Sequence, residues 1–248
     1  MIVSHEPLLA PFPWFGGKKR VAAVVREMLG NVRGYVEPFF GSGAVLLSGS
    51  AMGVETINDA DGMVANFWRA VQADPEAVAA HADWPVNEAD LHARHLWLVR
   101  RRDDLTSRLM ADPDWHDAKA AGWWVWGASA WIGSGWCSGR GPWTEVGGEF
   151  VNLGNAGMGV NRKLPHLGDA GRGVNRKLPH LGDAGRGDLI RRCMLALSER
   201  LRGVRVACGD WSRVVGPSVL RAGGMPVGVF LDPRGLTPAA LTLEVQAS

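Results

Sequence analysis

The chain has 248 residues, 46% of them apolar and 21% charged, with a formal net charge of +2. That length buries one sizeable core, and the ordinary composition excludes wholesale disorder, collagen-like repetition and a coiled coil. No apolar run of about 18 residues occurs, so no membrane span is expected, and Met1 to Phe15 lacks the charged, apolar and small-residue succession of a secretory leader, which points to the cytoplasm.

Tyr35 to Phe39 (YVEPF) reads as a strand running into the turn Phe40-Gly41-Ser42-Gly43, after which Ala44 to Leu47 opens a helix. Val54 to Asn58 is a second strand, ending at Asp59. From Val71 to Gly187 no β-alternation stands out. Asn87 followed by Asp90 starts a helix, with Leu91, Trp97, Val99, Leu105 and Leu109 as its apolar stripe and an end near Met110. A further helix is expected over Asp114 to Ile132, then loop from Gly133 to Gly187. The strand pattern returns with helix Asp188 to Leu201, strand Val204 to Cys208 and the buried strand Val227 to Asp232 (VGVFLD). These runs predict an α/β sheet interrupted by a mainly helical insertion, divided at residues 1–70, 71–187 and 188–248.

Charge is distributed locally. Val160 to Gly173 (VNRKLPHLGDAGRG) recurs unchanged as Val174 to Gly187, and each copy carries a net +2. Two copies are too few for a solenoid. Either a solvated glycine-rich loop has been duplicated or the loop contacts phosphates, and both readings hold together.

The three cysteines, Cys137, Cys193 and Cys208, form no Cys-x-x-Cys pair and suit reduced thiols. No metal site is expected: His92 and His95 lack a carboxylate-histidine pattern and read as surface histidines. No Ser-His-Asp or Cys-His nucleophile arrangement stands out. The Gly41-x-Gly43 turn lacks the third glycine of a dinucleotide fingerprint, and Gly16-Gly17-Lys18 lacks the phosphate-loop spacing, which disfavours a dehydrogenase or a nucleotide-triphosphate site.

An ordered set of motifs says more: Trp14-Phe15-Gly16-Gly17-Lys18, Glu37-Pro38-Phe39-Phe40-Gly41-Ser42-Gly43, Asn58-Asp59, Gly209-Asp210-Trp211 and Phe230-Leu231-Asp232-Pro233. Together they resemble the Dam-like (D12 class) adenine-specific DNA methyltransferases. The resemblance implies a Rossmann-like S-adenosylmethionine-dependent methyltransferase sheet carrying a target-recognition insertion. It implies cofactor contacts at Trp14, Gly17, Lys18, Glu37, Pro38, Phe39, Gly41, Gly43, Asp59, Asp210 and Trp211, and it makes Asp232 and Pro233 catalytic.

These residue types suit the roles. Trp14 offers a ring face to a sulfonium or adenine, Lys18 pairs with a carboxylate, and Asp59 at a strand end suits ribose hydroxyls. In the family the insertion reads the target, so Arg140, Arg162, Lys163, Arg172, Arg176, Lys177 and Arg186 become DNA contacts. Of the tryptophans, Trp123, Trp126 and Trp131 fall near one helical face and are expected in the insertion's core, whereas Trp136 to Trp143 with Arg140 is expected to face DNA. The implied partner is double-stranded DNA, bound by a monomer, in restriction-modification, phage defence or replication marking.

The sequence departs from the family after Asp232. The family's Asp-Pro-Pro-Tyr uses its Tyr to stack on a flipped base, but here Asp232-Pro233 leads into Arg234-Gly235 and the single tyrosine is Tyr35. A truncation or frame change near Pro233 is the expectation, so a catalytically inactive DNA- or cofactor-binding remnant stands as the alternative to an active enzyme. Leu241, Leu243 and Val245 alternate with Thr242, Glu244 and Gln246, a pattern suited to covering the open edge of the preceding strand.

Overall fold

A computed structural model describes residues 7–14, 18–131, 136–137, 143–146, 149–152, 187–232 and 242–246. Its elements in chain order are α1 (Ala22–Leu29), β1 (Gly34–Glu37), α2 (Ala44–Leu47), β2 (Val54–Asp59), α3 (Gly62–Ala73), α4 (Pro75–Ala82), α5 (Glu88–Ala111) and α6 (Ala118–Ala130). There follow β3 (Trp143–Val146), β4 (Glu149–Asn152), α7 (Gly187–Leu201), β5 (Arg205–Cys208), α8 (Pro217–Leu220), β6 (Val227–Leu231) and β7 (Thr242–Gln246).

The main sheet has the order β5-β2-β1-β6-β7. Its first four strands are parallel, and β6 (VGVFL) is the near-continuous apolar run expected of a strand covered on both faces. β1 is buried at all four positions and ends at Glu37, because Pro38 has no N–H to continue a ladder. β7 runs antiparallel to β6, with Val229 opposite Glu244 and Leu231 opposite Thr242. The alternating tail thus covers the β6 edge, as its pattern anticipated. Gly228 lets α1 approach the sheet: a Cβ there would stand 2.5 Å from Leu29 Cδ2.

Side-chain caps fix where the helices start. Asp61 accepts from Met63 N–H, Asn87 from Asp90 N–H and Asp117 from Ala120 N–H, at 3.0, 2.8 and 2.8 Å. The expected helix at Asp114 therefore begins at Ala118, after its Asp117 cap. Asp74 and Pro75 start α4, which the sequence reading left out. That reading also missed the antiparallel pair β3–β4 inside a stretch taken as loop.

One hydrophobic core runs through the sheet and the helices. Phe12, Tyr35, Val45, Phe67, Trp68, Val78, Leu98, Trp124 and Leu197 all belong to it. Phe12 is surrounded by rings, with Trp124, Phe67 and Trp14 centroids 4.7, 5.3 and 5.7 Å away. The buried stripe of α5 is Leu91, Arg94, His95, Leu98, Leu105 and Leu109, with Trp97 and Val99 only half-buried. Within the core Arg200 Nη1 and Nη2 grip Glu55 at 2.6 and 2.8 Å, and both side chains are almost fully buried.

Among the described residues no helix is long and apolar enough to cross a membrane, and no group of three or more metal-binding side chains occurs. His95 corrects the surface reading: it is buried and stacked on Trp131, centroids 4.9 Å apart at 10°. Burial, and secondarily His92, pushes its imidazole down to about 4, so it stays neutral at physiological pH. Cys137, Cys193 and Cys208 are free, and burial raises each thiol above its ordinary value.

Candidate cofactor and target site

The chain passes from β1 to β2 and β5 on one side of the sheet and returns to β6 on the other. The order therefore reverses between β1 and β6, and in such sheets ligands bind beyond the carboxyl ends of the strands at that point. Glu37, Asp59, Asp210 and Asp232 stand at or just beyond the ends of β1, β2, β5 and β6 respectively. All four sequence-selected carboxylates thus lie along one edge.

Glu37 is buried beside Tyr35, whose hydroxyl donates to Glu37 Oε2 at 2.7 Å. Burial raises the Glu37 carboxyl to about 8, Tyr35 opposes that rise through its hydrogen bond, and Asp232, Asp59 and Glu55 add to it. Glu37 is consequently a mostly neutral acid in a ring of anions at pH 7, poised to ionise beside a cation.

The glycine turn is built around close contacts. Gly41 and Gly43 have φ of +52° and +71°, and a Cβ on Gly41 would lie 2.3 Å from Trp14 Nε1. Trp14 therefore rests directly on the turn. Gly41 N–H donates to Asp59 Oδ2 and Asp61 N–H donates to Asp59 Oδ1, both at 2.9 Å. Asp59 accordingly ties the first turn to the second strand. Trp68 Nε1 donates to Gly41 O at 2.8 Å from α3. Asn58, fully buried, donates to Pro38 O and Gly209 O at 3.1 and 2.9 Å and so joins the ends of β1 and β5.

Two rings face each other across those strand ends: Phe39 and Trp211, with centroids 6.5 Å apart and planes 32° from parallel. Phe39 is half-buried and Trp211 exposed. Asp210, fully exposed, accepts from Ser212 Oγ and Ser212 N–H, which hold its carboxyl below the usual range. On the opposite flank Lys18 Nζ pairs with Asp232 Oδ2 at 2.9 Å.

The structure thus brings Trp14, Lys18, Glu37, Pro38, Phe39, Gly41, Gly43, Asp59, Asp210, Trp211 and Asp232 to one sheet edge. Gly17, Pro233, Arg140, Arg162, Lys163, Arg172, Arg176, Lys177 and Arg186 lie outside the described residues. Trp136 corrects the DNA-facing expectation. It is half-buried, donates from Nε1 to Trp124 O at 2.9 Å and lies tilted against the rings of His95 and Trp131. Trp126 packs inside the helical layer as expected, whereas Trp124 belongs to the core under the sheet. The sequence reading missed the supporting roles of Trp68 and Asn58. Asn58 was visible as the neighbour of Asp59, but nothing marked Trp68.

No curated protein matches the chain. Residues 14–96 match the family model of the D12 class N6 adenine-specific DNA methyltransferases. That segment holds the W-x-G-G-K and E-P-F-x-G-x-G motifs together with Asn58-Asp59. With the α/β sheet and its motif residues on one edge, residues 14–96 resemble the D12 class N6 adenine-specific DNA methyltransferases.

Proposed function

We propose that the chain transfers a methyl group from S-adenosylmethionine to the exocyclic amine of adenine at specific sites in double-stranded DNA. The observation that carries this reading is the convergence of Lys18, Glu37, Asp59, Asp210 and Asp232 on the edge beside the β1/β6 reversal.

The donor set fits the cofactor's chemistry. Lys18 supplies a cation for a carboxylate and Glu37 a buried acid for an ammonium. Asp59, at the end of β2, places a carboxylate for ribose hydroxyls, and Asp210 has a carboxylate exposed beside the Phe39–Trp211 pair. Trp14 and the Gly41–Gly43 turn form the wall between them. When bound, S-adenosylmethionine supplies an electrophilic methyl on a sulfonium.

Asp232 then accepts a hydrogen bond from the adenine amine, with Pro233, next in sequence, as the second catalytic position. That contact orients the nitrogen lone pair toward the methyl for in-line displacement, so positioning carries much of the rate. The insertion at residues 71–187 reads the target, with Arg140 and the duplicated loop's Arg162, Lys163, Arg172, Arg176, Lys177 and Arg186 on DNA. Residues 1–70 form the cofactor half and 188–248 the catalytic half. The enzyme works as a cytoplasmic monomer.

A second reading has its own observation. Tyr35, the single tyrosine, is fully buried in β1 and unable to stack on an extruded base. This supports a remnant that binds DNA or cofactor without catalysis. Calorimetric titration with S-adenosylhomocysteine tests the cofactor site common to both readings: saturable one-to-one binding that nicotinamide dinucleotides do not displace is expected, and displacement by them overturns both.

A further inference from the structure

α5 and α6 carry a row of alternating cations and indole rings. Arg101 Cζ lies 4.0 Å from the Trp97 ring centroid, and Lys119 Nζ lies 5.1 Å from Trp97 and 4.4 Å from Trp123. Trp97 and Trp123 meet edge to face at 5.0 Å. Arg94 closes the row from inside, 4.9, 4.2 and 5.4 Å from Trp123, Trp126 and Trp84.

The outer and inner cations differ. Arg94 is buried and anchors the row within the protein, whereas Arg101 and Lys119 are exposed and engage no carboxylate among the described residues. Asp104, the acid one turn beyond Arg101, pairs with Arg108, and Asp117 beside Lys119 caps α6. A guanidinium resting its face on an indole keeps its in-plane N–H groups free for another acceptor, and the ring limits the freedom it loses on binding. Half-buried His81 senses the same field: burial, then Lys119, lowers its imidazole, and Arg94 adds to this against Asp117 and Asp74.

We propose that Arg101 and Lys119, held on Trp97 and Trp123, are a contact for the phosphodiester backbone of duplex DNA, separate from the duplicated basic loop. The assignment rests on the methyltransferase reading. The helices that carry the row also reach toward the site through other residues: Trp124 packs against Phe12 and approaches Trp14, and Arg102 reaches Asp61 at 3.7 Å. Phosphates fit better than bases, because cations already cover the ring faces a base would stack on.

The test is fluorescence anisotropy of a labelled duplex oligonucleotide with the full chain across a salt series, comparing wild type, Arg101→Ala/Lys119→Ala and Arg191→Ala. Arg191, on α7, is an exposed cation already paired with Glu76 of α4. The double variant is expected to flatten the log–log salt dependence by about 2, near one unit per lost phosphate contact. Arg191→Ala is expected to leave it unchanged. Trp97→Phe keeps both charges, so it is expected to weaken binding with an unaltered slope. A double variant with the wild-type slope, while wild type binds and methylates DNA, overturns this contact alone. A wild type that does not bind DNA overturns both the contact and the methyltransferase reading.

Discussion

Lys18 Nζ and Asp232 Oδ2 are 2.9 Å apart, so the lysine proposed for the cofactor and the aspartate proposed for the target amine form one ion pair. The two proposed subsites would therefore share a boundary. Lys18→Met is expected to weaken S-adenosylhomocysteine binding about 10- to 100-fold, the scale of one charge-assisted hydrogen bond. Asp232→Asn is expected to abolish methyl transfer while retaining cofactor binding within a few-fold, since it keeps the shape and removes one charged acceptor. Calorimetry and a transfer assay on both variants check this division.

Glu37 sets a pH dependence whose sign is fixed by its burial. Its carboxyl titrates near 8 in the folded chain against an ordinary value near 4.5, so between those limits the folded state binds more protons. Its stabilising contribution is complete below about pH 4.5 and is lost as pH rises to about 8. Glu37→Gln is expected to flatten the fall in thermal midpoint across that window. The same titration makes cationic cofactor binding tighten with rising pH in wild type and not in the variant, which calorimetry at several pH values measures.

The Arg200–Glu55 pair joins α7 to β2, and Arg200 Nη2 also donates to Leu46 O at 2.9 Å. Removing one partner leaves the other buried without its hydrogen-bonded ion-pair partner. Arg200→Met is expected to cost about 3–5 kcal/mol, read from urea unfolding, and Glu55→Gln is expected to cost less because Met52 N–H keeps an acceptor.

Gly41→Ala is expected to damage binding more than folding. The residue has φ +52° and its new methyl would collide with Trp14 Nε1, a side chain of the site wall. A fall of a few degrees in thermal midpoint together with at least tenfold weaker S-adenosylhomocysteine binding is the expected pair of results. Equal binding by the variant would show that Trp14 does not shape the cofactor site.

Some boundaries were legible because local chemistry marks them: the Gly41–Gly43 turn follows β1, and Asn87 caps α5 before its apolar stripe. Others were misplaced: the strand was expected to run on to Phe39 although Pro38 stops it, and the helix to open at Asp114 although Asp117 caps it. Carboxylates placed after each strand could be read in order, and order gave the family resemblance. What escaped is non-local. Lys18 meets Asp232, Asn58 meets Gly209 and Arg200 meets Glu55 only because the sheet order brings distant segments together. His95 escaped for a different reason: in a helix crowded with charges its polarity suggested solvent, yet its ring stacks on Trp131. The β3–β4 pair did carry a signal, Gly147-Gly148 between two short runs, which the loop reading passed over.

The most direct test of the account is methyl transfer from labelled S-adenosylmethionine to unmethylated duplex DNA by the 248-residue chain, with Asp232→Asn as control and the product nucleosides separated by mass spectrometry. N6-methyladenine is expected with wild type and none with the variant. Cofactor-bound, folded wild-type protein that leaves adenine unmethylated, on DNA it demonstrably binds, would contradict it and leave the non-catalytic reading standing.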